Sequence, residues 1–222
     1  MTVLVAGGTG HLGSAVVREL LASGYGVTAT WIVPEERERL ASEPVELVQA
    51  DLFDPGGAET AVASVPELEA VVNLVGGYAQ GPLVHETDPD QFDHLIRLNV
   101  RPGFLLARAA IPHLIERGGG AFVGVSARAV LRPFPGAAGY IVSKAAVLAL
   151  IQALDAEYRH HDIRCNAILP SVIDTPPNRA AQPDADYSKW VKPEAIAKVV
   201  RFLVSEDSAP TTGAAVPVYG RA

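Results

Sequence analysis

Short apolar runs alternate along this chain with longer stretches in which apolar residues recur at the helical period. Several of the runs are apolar at nearly every position, which is typical of strands covered on both faces of a parallel sheet. The runs predict seven strands, at residues 3–6, 27–32, 45–50, 70–75, 121–125, 163–169 and 215–218.

The longer stretches predict five helices, at residues 12–23, 57–64, 89–117, 140–160 and 193–204. The third has a well-marked start, because Asp88 can cap it and Pro89 suits the first helical position. The alternation of strands and helices predicts one α/β domain over residues 1–222. Its sheet should be doubly wound, mostly parallel and seven-stranded, with helices on both faces.

The segment from Pro170 to Val191 interrupts this alternation and carries four prolines, Pro170, Pro176, Pro177 and Pro183. An irregular connection of this length in a compact domain usually serves function. We therefore predict a substrate lid at about residues 171–192.

Composition narrows the classes of function. The formal net charge of −7 argues against nucleic acid as a partner, because phosphate binding needs clustered Lys and Arg. The single cysteine, Cys165, excludes an intrachain disulfide framework and a zinc cluster. There is no apolar run of about 18 residues and no charged segment typical of a signal peptide. We expect a cytoplasmic protein with no membrane partner and no metal.

The stretch V-L-V-A-G-G-T-G-H-L-G places three glycines between the first strand and the first helix. Gly7 permits a tight turn, Gly10 lets the backbone approach a pyrophosphate, and Gly13 lets the helix pack closely. The helix N-terminus adds free N–H groups and a partial positive charge. The pattern predicts a dinucleotide-binding loop, although a glycine-rich structural turn explains the three glycines equally simply.

The end of the second strand, which reads the coenzyme ribose in such folds, carries Trp31 instead of an acidic or basic residue. Trp31 can pack against the adenosine or simply fill the core. Arg37 and Arg39 can reach a 2′-phosphate or form a solvated charged turn. Asp51 follows the third strand, where it can meet the adenine or cap a turn. The choice between NAD and NADP stays open at this level.

The strongest chemical signal is Y-I-V-S-K, which puts Tyr140 and Lys144 on one face of a helix. An ammonium group near a phenol stabilises the phenolate and makes tyrosine a usable acid or base. Ser126 ends a strand at the edge where open α/β sheets bind ligands. Asn99 is a polar residue among apolar neighbours within a helix and needs partners, often water.

With these residues, the chain resembles the short-chain dehydrogenase/reductase family over nearly its whole length. The shared features are the glycine loop, Asp51, Asn73-Leu74-Val75-Gly76, Asn99, Ser126, Tyr140, Lys144, the run from Asn166 to Thr175, and T-G-A-A-V-P-V-Y-G near residue 220. The resemblance implies a Rossmann fold with NAD or NADP as cofactor. It also implies hydride transfer between the nicotinamide and a small carbonyl or alcohol substrate.

The resemblance further implies roles for individual residues. Tyr140 would exchange the proton, Lys144 would hold the nicotinamide ribose and lower the pKa of the tyrosine, Ser126 would orient the substrate carbonyl, and Asn99 would hold a relay water. The implied coenzyme contacts are Gly7, Thr9, Gly10, His11, Leu12, Gly13, Trp31, Asp51, Leu52, Asn73, Gly76, Tyr140, Lys144, Pro170, Ile173 and Thr175. The helix that starts at Tyr140 commonly builds a homodimer or homotetramer in this family.

The chain also departs from the family pattern. His11 stands where the common loop has its middle glycine, and Pro170-Ser171 replaces the usual Pro-Gly. Residues 76–81 and 174–190 are similar to loops of dihydropteridine reductases, so a quinonoid pterin is a second substrate class. A catalytically silent NAD(P)-binding sensor is the alternative function; the retained Tyr140 and Lys144 favour an enzyme.

Overall fold

The computed structural model of the chain describes residues 1–221. Its strands are β1 (Thr2–Ala6), β2 (Gly26–Trp31), β3 (Glu46–Gln49), β4 (Leu68–Asn73), β5 (Gly120–Val125), β6 (Ile163–Pro170) and β7 (Ala215–Val218). All seven join one sheet in the order β3-β2-β1-β4-β5-β6-β7, and every pairing is parallel. The predicted single α/β domain with a seven-stranded sheet is confirmed.

Helices cover both faces of the sheet. They are α1 (His11–Ala22), α2 (Pro55–Ala63), α3 (Pro89–Arg117), α4 (Ala138–Tyr158), α5 (Pro176–Ala181) and α6 (Pro193–Val204). Apolar side chains of α1 and α6, such as Leu20 and Ile196, build one core layer. Those of α2, α3 and α4, such as Leu106 and Ile151, build the other. The two layers explain why the central strands are apolar on both sides.

The order of the strands reverses between β1 and β4, which are neighbours in the sheet although β2 and β3 lie between them in sequence. Ligands of open α/β sheets bind at such a switch point, outside the carboxyl ends of the strands. Here the loops that follow Ala6 and Asn73 leave the sheet side by side, and the Leu74 amide donates to the Ala6 carbonyl at 3.0 Å.

Element boundaries differ from the predicted ones in a few places. Helix α2 starts two residues earlier than predicted, because Pro55 takes the first helical position and the Asp54 carboxylate accepts from the Gly56 amide at 2.9 Å. Strand β4 ends at Asn73 instead of residue 75. The predicted irregular segment contains the short helix α5.

The segment Ala138–His161, which is α4 and the turn after it, is long and apolar enough to cross a membrane by length and composition alone. A core helix of a soluble domain passes the same test, so this one helix is weak evidence for a membrane protein. Its residues Val147, Ile151 and Leu154 are buried within the fold.

Candidate active site

The first two turns of α4 are bound to the end of β5. The Lys144 side chain is 6% exposed, and its Nζ donates to the Val125 carbonyl oxygen at 3.0 Å. The Ser126 hydroxyl donates to the Lys144 carbonyl oxygen at 2.7 Å. Tyr140 lies one turn before Lys144 and is partly buried. The predicted Tyr–Lys pair therefore sits on a rigid junction between helix and sheet.

Asn99 connects α3 to the same junction. Its Oδ1 accepts from the Gly77 amide at 2.9 Å, and its Nδ2 donates to Ser143 Oγ at 3.0 Å. Ser143 in turn donates to the Tyr140 carbonyl oxygen at 2.8 Å. Ser143 was not among the predicted site residues, although it lies inside the Y-I-V-S-K motif. Its hydroxyl is the link that ties Asn99 to the turn that carries Tyr140.

Gly76 lies where these groups converge. A Cβ atom at this position would stand 2.5 Å from Asn99 Oδ1 and 3.0 Å from Lys144 Nζ. Any side chain would therefore displace both polar atoms, which explains why the N-x-x-G motif ends in glycine. Asn73, the first residue of that motif, is buried, and its Oδ1 accepts from the Val75 amide at 3.2 Å.

Ser126 makes its side-chain hydrogen bond within the fold. Its side chain is 1% exposed and gives its proton to a backbone carbonyl inside the fold. The next residue, Ala127, has extended backbone angles, so its side chain points to the opposite face. Ala127 is 5% exposed and carries no hydroxyl. Ser126 therefore fixes the backbone of Lys144 in this structure, and its implied role in orienting a substrate carbonyl stays a prediction.

Tyr78 is a neighbour of Tyr140 that the motifs did not single out. The two rings meet edge to face, with centroids 4.9 Å apart and planes at 83°. The Tyr78 hydroxyl donates to Gln80 Oε1 at 2.7 Å, and Gln80 Nε2 donates to the Pro135 carbonyl at 3.1 Å. These contacts hold the loop after β4 against the segment that leads into α4. Tyr78 therefore lies directly beside the candidate acid.

Burial sets the protonation of the pair in the coenzyme-free protein. It raises the pKa of Tyr140 to about 12, with a further contribution from Tyr78, and it lowers the pKa of Lys144 to about 8. The predicted lowering of the tyrosine pKa by Lys144 is therefore outweighed here by desolvation. Near neutral pH the phenol is protonated and is equipped to donate a proton.

The glycine loop has the geometry of an anion-binding turn. Gly7 adopts a positive φ of 73°, its amide donates to Thr30 Oγ1 at 3.0 Å, and its carbonyl accepts from the Gly10 amide at 3.2 Å. A Cβ at Gly13 would stand 2.1 Å from the Gly7 carbonyl oxygen, so only glycine fits there. The N-terminus of α1 has no side-chain cap and no acidic residue in its first turn. Its N–H groups therefore suit a phosphate.

Arg39 links the glycine loop to the turn Pro34–Leu40. Its Nη1 donates to the Thr9 carbonyl at 2.8 Å and lies 3.0 Å from Glu36, and its Nη2 lies 3.3 Å from His11 Nε2. Burial and the charge of Arg39 both lower the pKa of His11. His11 is thus a neutral partner of Arg39 at the rim of the loop, which accounts for a histidine where a glycine is usual.

Trp31 ends β2 with its ring partly buried, and the Arg37 guanidinium carbon lies 4.6 Å from the centre of that ring. No acidic residue stands at the end of the strand, where Trp31 is followed by Ile32 and Val33. Asp51 at the end of the neighbouring strand accepts from the Phe53 amide at 2.9 Å and so caps a turn. Leu52 is buried beneath it.

The remaining predicted coenzyme contacts lie after β6, at the start of the predicted lid. Pro170 is the last residue of the strand, Ile173 forms a bridge with Val191, and Thr175 is buried immediately before α5. The Asn178 side chain donates to the Ile173 carbonyl at 2.8 Å. These contacts close the segment from Ile173 to Val191 into a loop. Whether it acts as a lid stays a prediction.

Among residues 1–221, no group of three or more His, Cys, Asp and Glu side chains is arranged to hold a metal ion.

Comparison with known proteins defines the class of this protein. A family model described as short chain dehydrogenase matches residues 1–186. The 2-(R)-hydroxypropyl-CoM dehydrogenase of Xanthobacter autotrophicus is 33% identical over 98% of this chain and 96% of its own length. L-xylulose reductase of Bos taurus is 30% identical over 98% of this chain and 94% of its own length.

A solved short-chain type dehydrogenase/reductase from Mycobacterium ulcerans superposes with a TM-score of 0.92 at 26% identity, over 99% of this chain and 88% of that one. The fold and site thus define an oxidoreductase with a Rossmann-type sheet. The chain belongs to the short-chain dehydrogenase/reductase family, as its motifs indicated.

Proposed function

We propose that this protein reduces a small carbonyl substrate, or oxidises the corresponding alcohol, with Tyr140 as the general acid and base. The observation that carries the proposal is the convergence of Lys144 Nζ and Asn99 Oδ1 at Gly76, with Lys144 one helical turn from Tyr140. The bound coenzyme supplies or accepts the hydride. The two relatives named above, a hydroxypropyl dehydrogenase and a xylulose reductase, support a substrate with an alcohol or carbonyl group.

Each residue of the junction has a distinct task in this proposal. The protonated Tyr140 phenol donates to the carbonyl oxygen as that oxygen gains negative charge. Lys144, whose pKa of about 8 lies close to neutrality, binds the nicotinamide ribose and exchanges protons with the phenol. Asn99 holds the loop at Gly77 and, as the family resemblance implies, a relay water. Because the Ser126 hydroxyl already donates to the Lys144 carbonyl, intrinsically electrophilic substrates suit this site best. Reactive carbonyl compounds are one such class, and quinonoid pterins are a second.

The coenzyme contacts favour NADP(H) over NAD(H). A carboxylate at the end of β2 would accept from a ribose 2′-hydroxyl, and this strand end has Trp31 in its place. Arg37 stacks on that ring, and Arg39 donates to the Thr9 carbonyl of the glycine loop. Guanidinium groups in this position attract a 2′-phosphate.

The surface of α4 favours assembly into a homodimer or homotetramer. Val142 is 45% exposed, and Ala149 and Ala153 on the same helix are also exposed. On the adjacent α3, Phe104 is 54% exposed. Small and apolar side chains on an outer helix face permit close pairing with a second copy of the chain.

The decisive experiment combines coenzyme binding with turnover. Tyr140→Phe should leave NADPH affinity unchanged and reduce kcat on a panel of aldehydes, ketones, quinones and a quinonoid dihydropterin by a factor of about 100 or more, because the proton donor is removed. Retention of turnover by this variant would overturn the assignment of Tyr140. Tight coenzyme binding by the wild type with no turnover on any compound would instead favour a silent sensor.

A further inference from the structure

One partly buried arginine in the described chain has no partner. Four arginines between residues 1 and 221 are partly buried, namely Arg39, Arg128, Arg164 and Arg201. Three of them donate to carbonyl or carboxylate oxygens. Within residues 1–221, the Arg128 side chain forms no hydrogen bond and has no carboxylate within 4.0 Å. Its guanidinium group lies over an aromatic ring.

Arg128 lies at the edge of the sheet where the candidate active site is built. It follows Ser126 by two residues, and the end of β5 is bound to Lys144 through Val125 and Ser126. Its guanidinium carbon lies 5.1 Å from the ring centre of Tyr219, the residue after β7. The side chain therefore reaches from the end of β5 across the end of β6 towards β7.

The position of Tyr219 is itself fixed. Its carbonyl accepts from the Ser171 hydroxyl at 2.7 Å, and the Ser171 amide donates to the Val218 carbonyl at 3.3 Å. Ser171 begins the predicted lid, directly after the predicted coenzyme contact Pro170. Arg128 therefore lies between the junction of β5 with α4 and Ser171, the first residue of the predicted lid.

We propose that Arg128 binds an acidic group of the substrate, a carboxylate or a similar oxyanion. A guanidinium that stacks on an aromatic face keeps its edge N–H groups available, and their fork matches a carboxylate. Partial burial of the Arg128 charge without an oppositely charged partner is unfavourable. A ligand that supplies a negative charge there therefore gains affinity. This inference rests on the proposed carbonyl chemistry and names the class of compound that carries the carbonyl.

Arg179, the arginine of the predicted lid, is not a candidate for binding an acidic substrate group, because its charge is already paired. Arg179 forms hydrogen bonds with both carboxylate oxygens of Asp174. Arg132, in contrast, is exposed one turn after Arg128, and no ion pair of its side chain occurs within residues 1–221. It offers a matched control for a general effect of positive charge.

The test compares 4-formylbenzoate with its neutral analogue 4-formylbenzamide. Arg128→Gln should raise KM for the benzoate roughly 10- to 100-fold while KM for the benzamide changes little, as expected for loss of a charge-assisted hydrogen bond. Arg132→Gln should leave both unchanged. An equal effect of Arg128→Gln on the two aldehydes, or none, would assign Arg128 to packing against Tyr219 and overturn the proposal.

A binding measurement separates this inference from the proposed function. Calorimetry with the protein saturated with oxidised coenzyme should show 4-formylbenzoate binding that Arg128→Gln weakens and Arg132→Gln does not. This result stands even if no aldehyde is turned over, in which case the proposed reaction fails and the anion site remains. Equal binding to wild type and Arg128→Gln would reject the anion site while leaving carbonyl reduction intact.

Discussion

At the carboxyl end of β5, two adjacent side chains point in opposite directions. Ser126 donates to the Lys144 carbonyl, and Ala127, 5% exposed, points to the other face without a polar side-chain atom. The hydrogen bond of Ser126 holds the backbone of Lys144 in place. This arrangement supports the proposal that Tyr140, and not Ser126, donates the proton to a substrate.

Ser126→Ala should consequently keep most of its activity. We expect kcat/KM within about threefold of wild type and a loss of about 1 kcal/mol in the free energy of unfolding, because one buried hydrogen bond is removed. Steady-state kinetics and urea denaturation measure the two quantities. Ala127→Ser, which adds a hydroxyl on the face opposite the Ser126 side chain, should change kcat/KM more than Ser126→Ala does. A hundredfold loss of kcat in a folded Ser126→Ala protein would restore the role implied by the family.

The sequence located the other residues of the junction well. Tyr140, Lys144, Asn99 and Gly76 were predicted from motifs, and the structure brings them together, although their roles stay predictions. The direction of the Ser126 hydroxyl could not be predicted, because a serine at a strand end faces either side after a shift of one residue. The unpaired state of Arg128 likewise depends on which side chains the fold brings near it.

At the scale of elements, the sheet and the long helices followed from hydrophobic pattern, since strands buried on both faces and an Asp-Pro helix start leave clear signals. Helix α5 was missed because it has six residues and opens with Pro176 and Pro177, which suit a helix start as well as a loop. The turn Pro34–Leu40 was described only as a charged segment. Its importance comes from contacts that it makes with β2 and with the glycine loop.

We propose that this turn sets the coenzyme preference. We expect NADPH to bind more tightly than NADH, and Arg37→Gln to reduce the preference about tenfold by weakening NADPH alone, because a guanidinium interacts with the 2′-phosphate. Fluorescence titration with both coenzymes measures this. Arg97→Gln, an exposed arginine on α3, serves as the control for net charge. Equal affinities for the two coenzymes in the wild type would show that the turn does not discriminate.

At the scale of the whole molecule, the site is maintained at some cost to folding stability. Lys144 is almost fully buried, and its ammonium group donates to the neutral carbonyl of Val125. Burial lowers its pKa from 10.5 to about 8. Below pH 8 the lysine is charged in both the folded and the unfolded chain, and the folded chain bears the full desolvation cost. Between about pH 8 and 10.5 only the unfolded chain retains the proton, so stability rises with pH.

Lys144→Met should therefore make the coenzyme-free protein more stable at pH 7 while turnover is lost. The expected gain is on the order of 1–3 kcal/mol, reduced by the lost hydrogen bond to Val125, and it should shrink as pH rises towards 10.5. Urea denaturation at pH 7 and pH 9.5 measures the difference. Lys198→Met on the exposed side of α6 should show no such gain at either pH. If Lys144→Met were no more stable than wild type at pH 7, the lysine would be compensated within the fold, and its charge would not oppose folding.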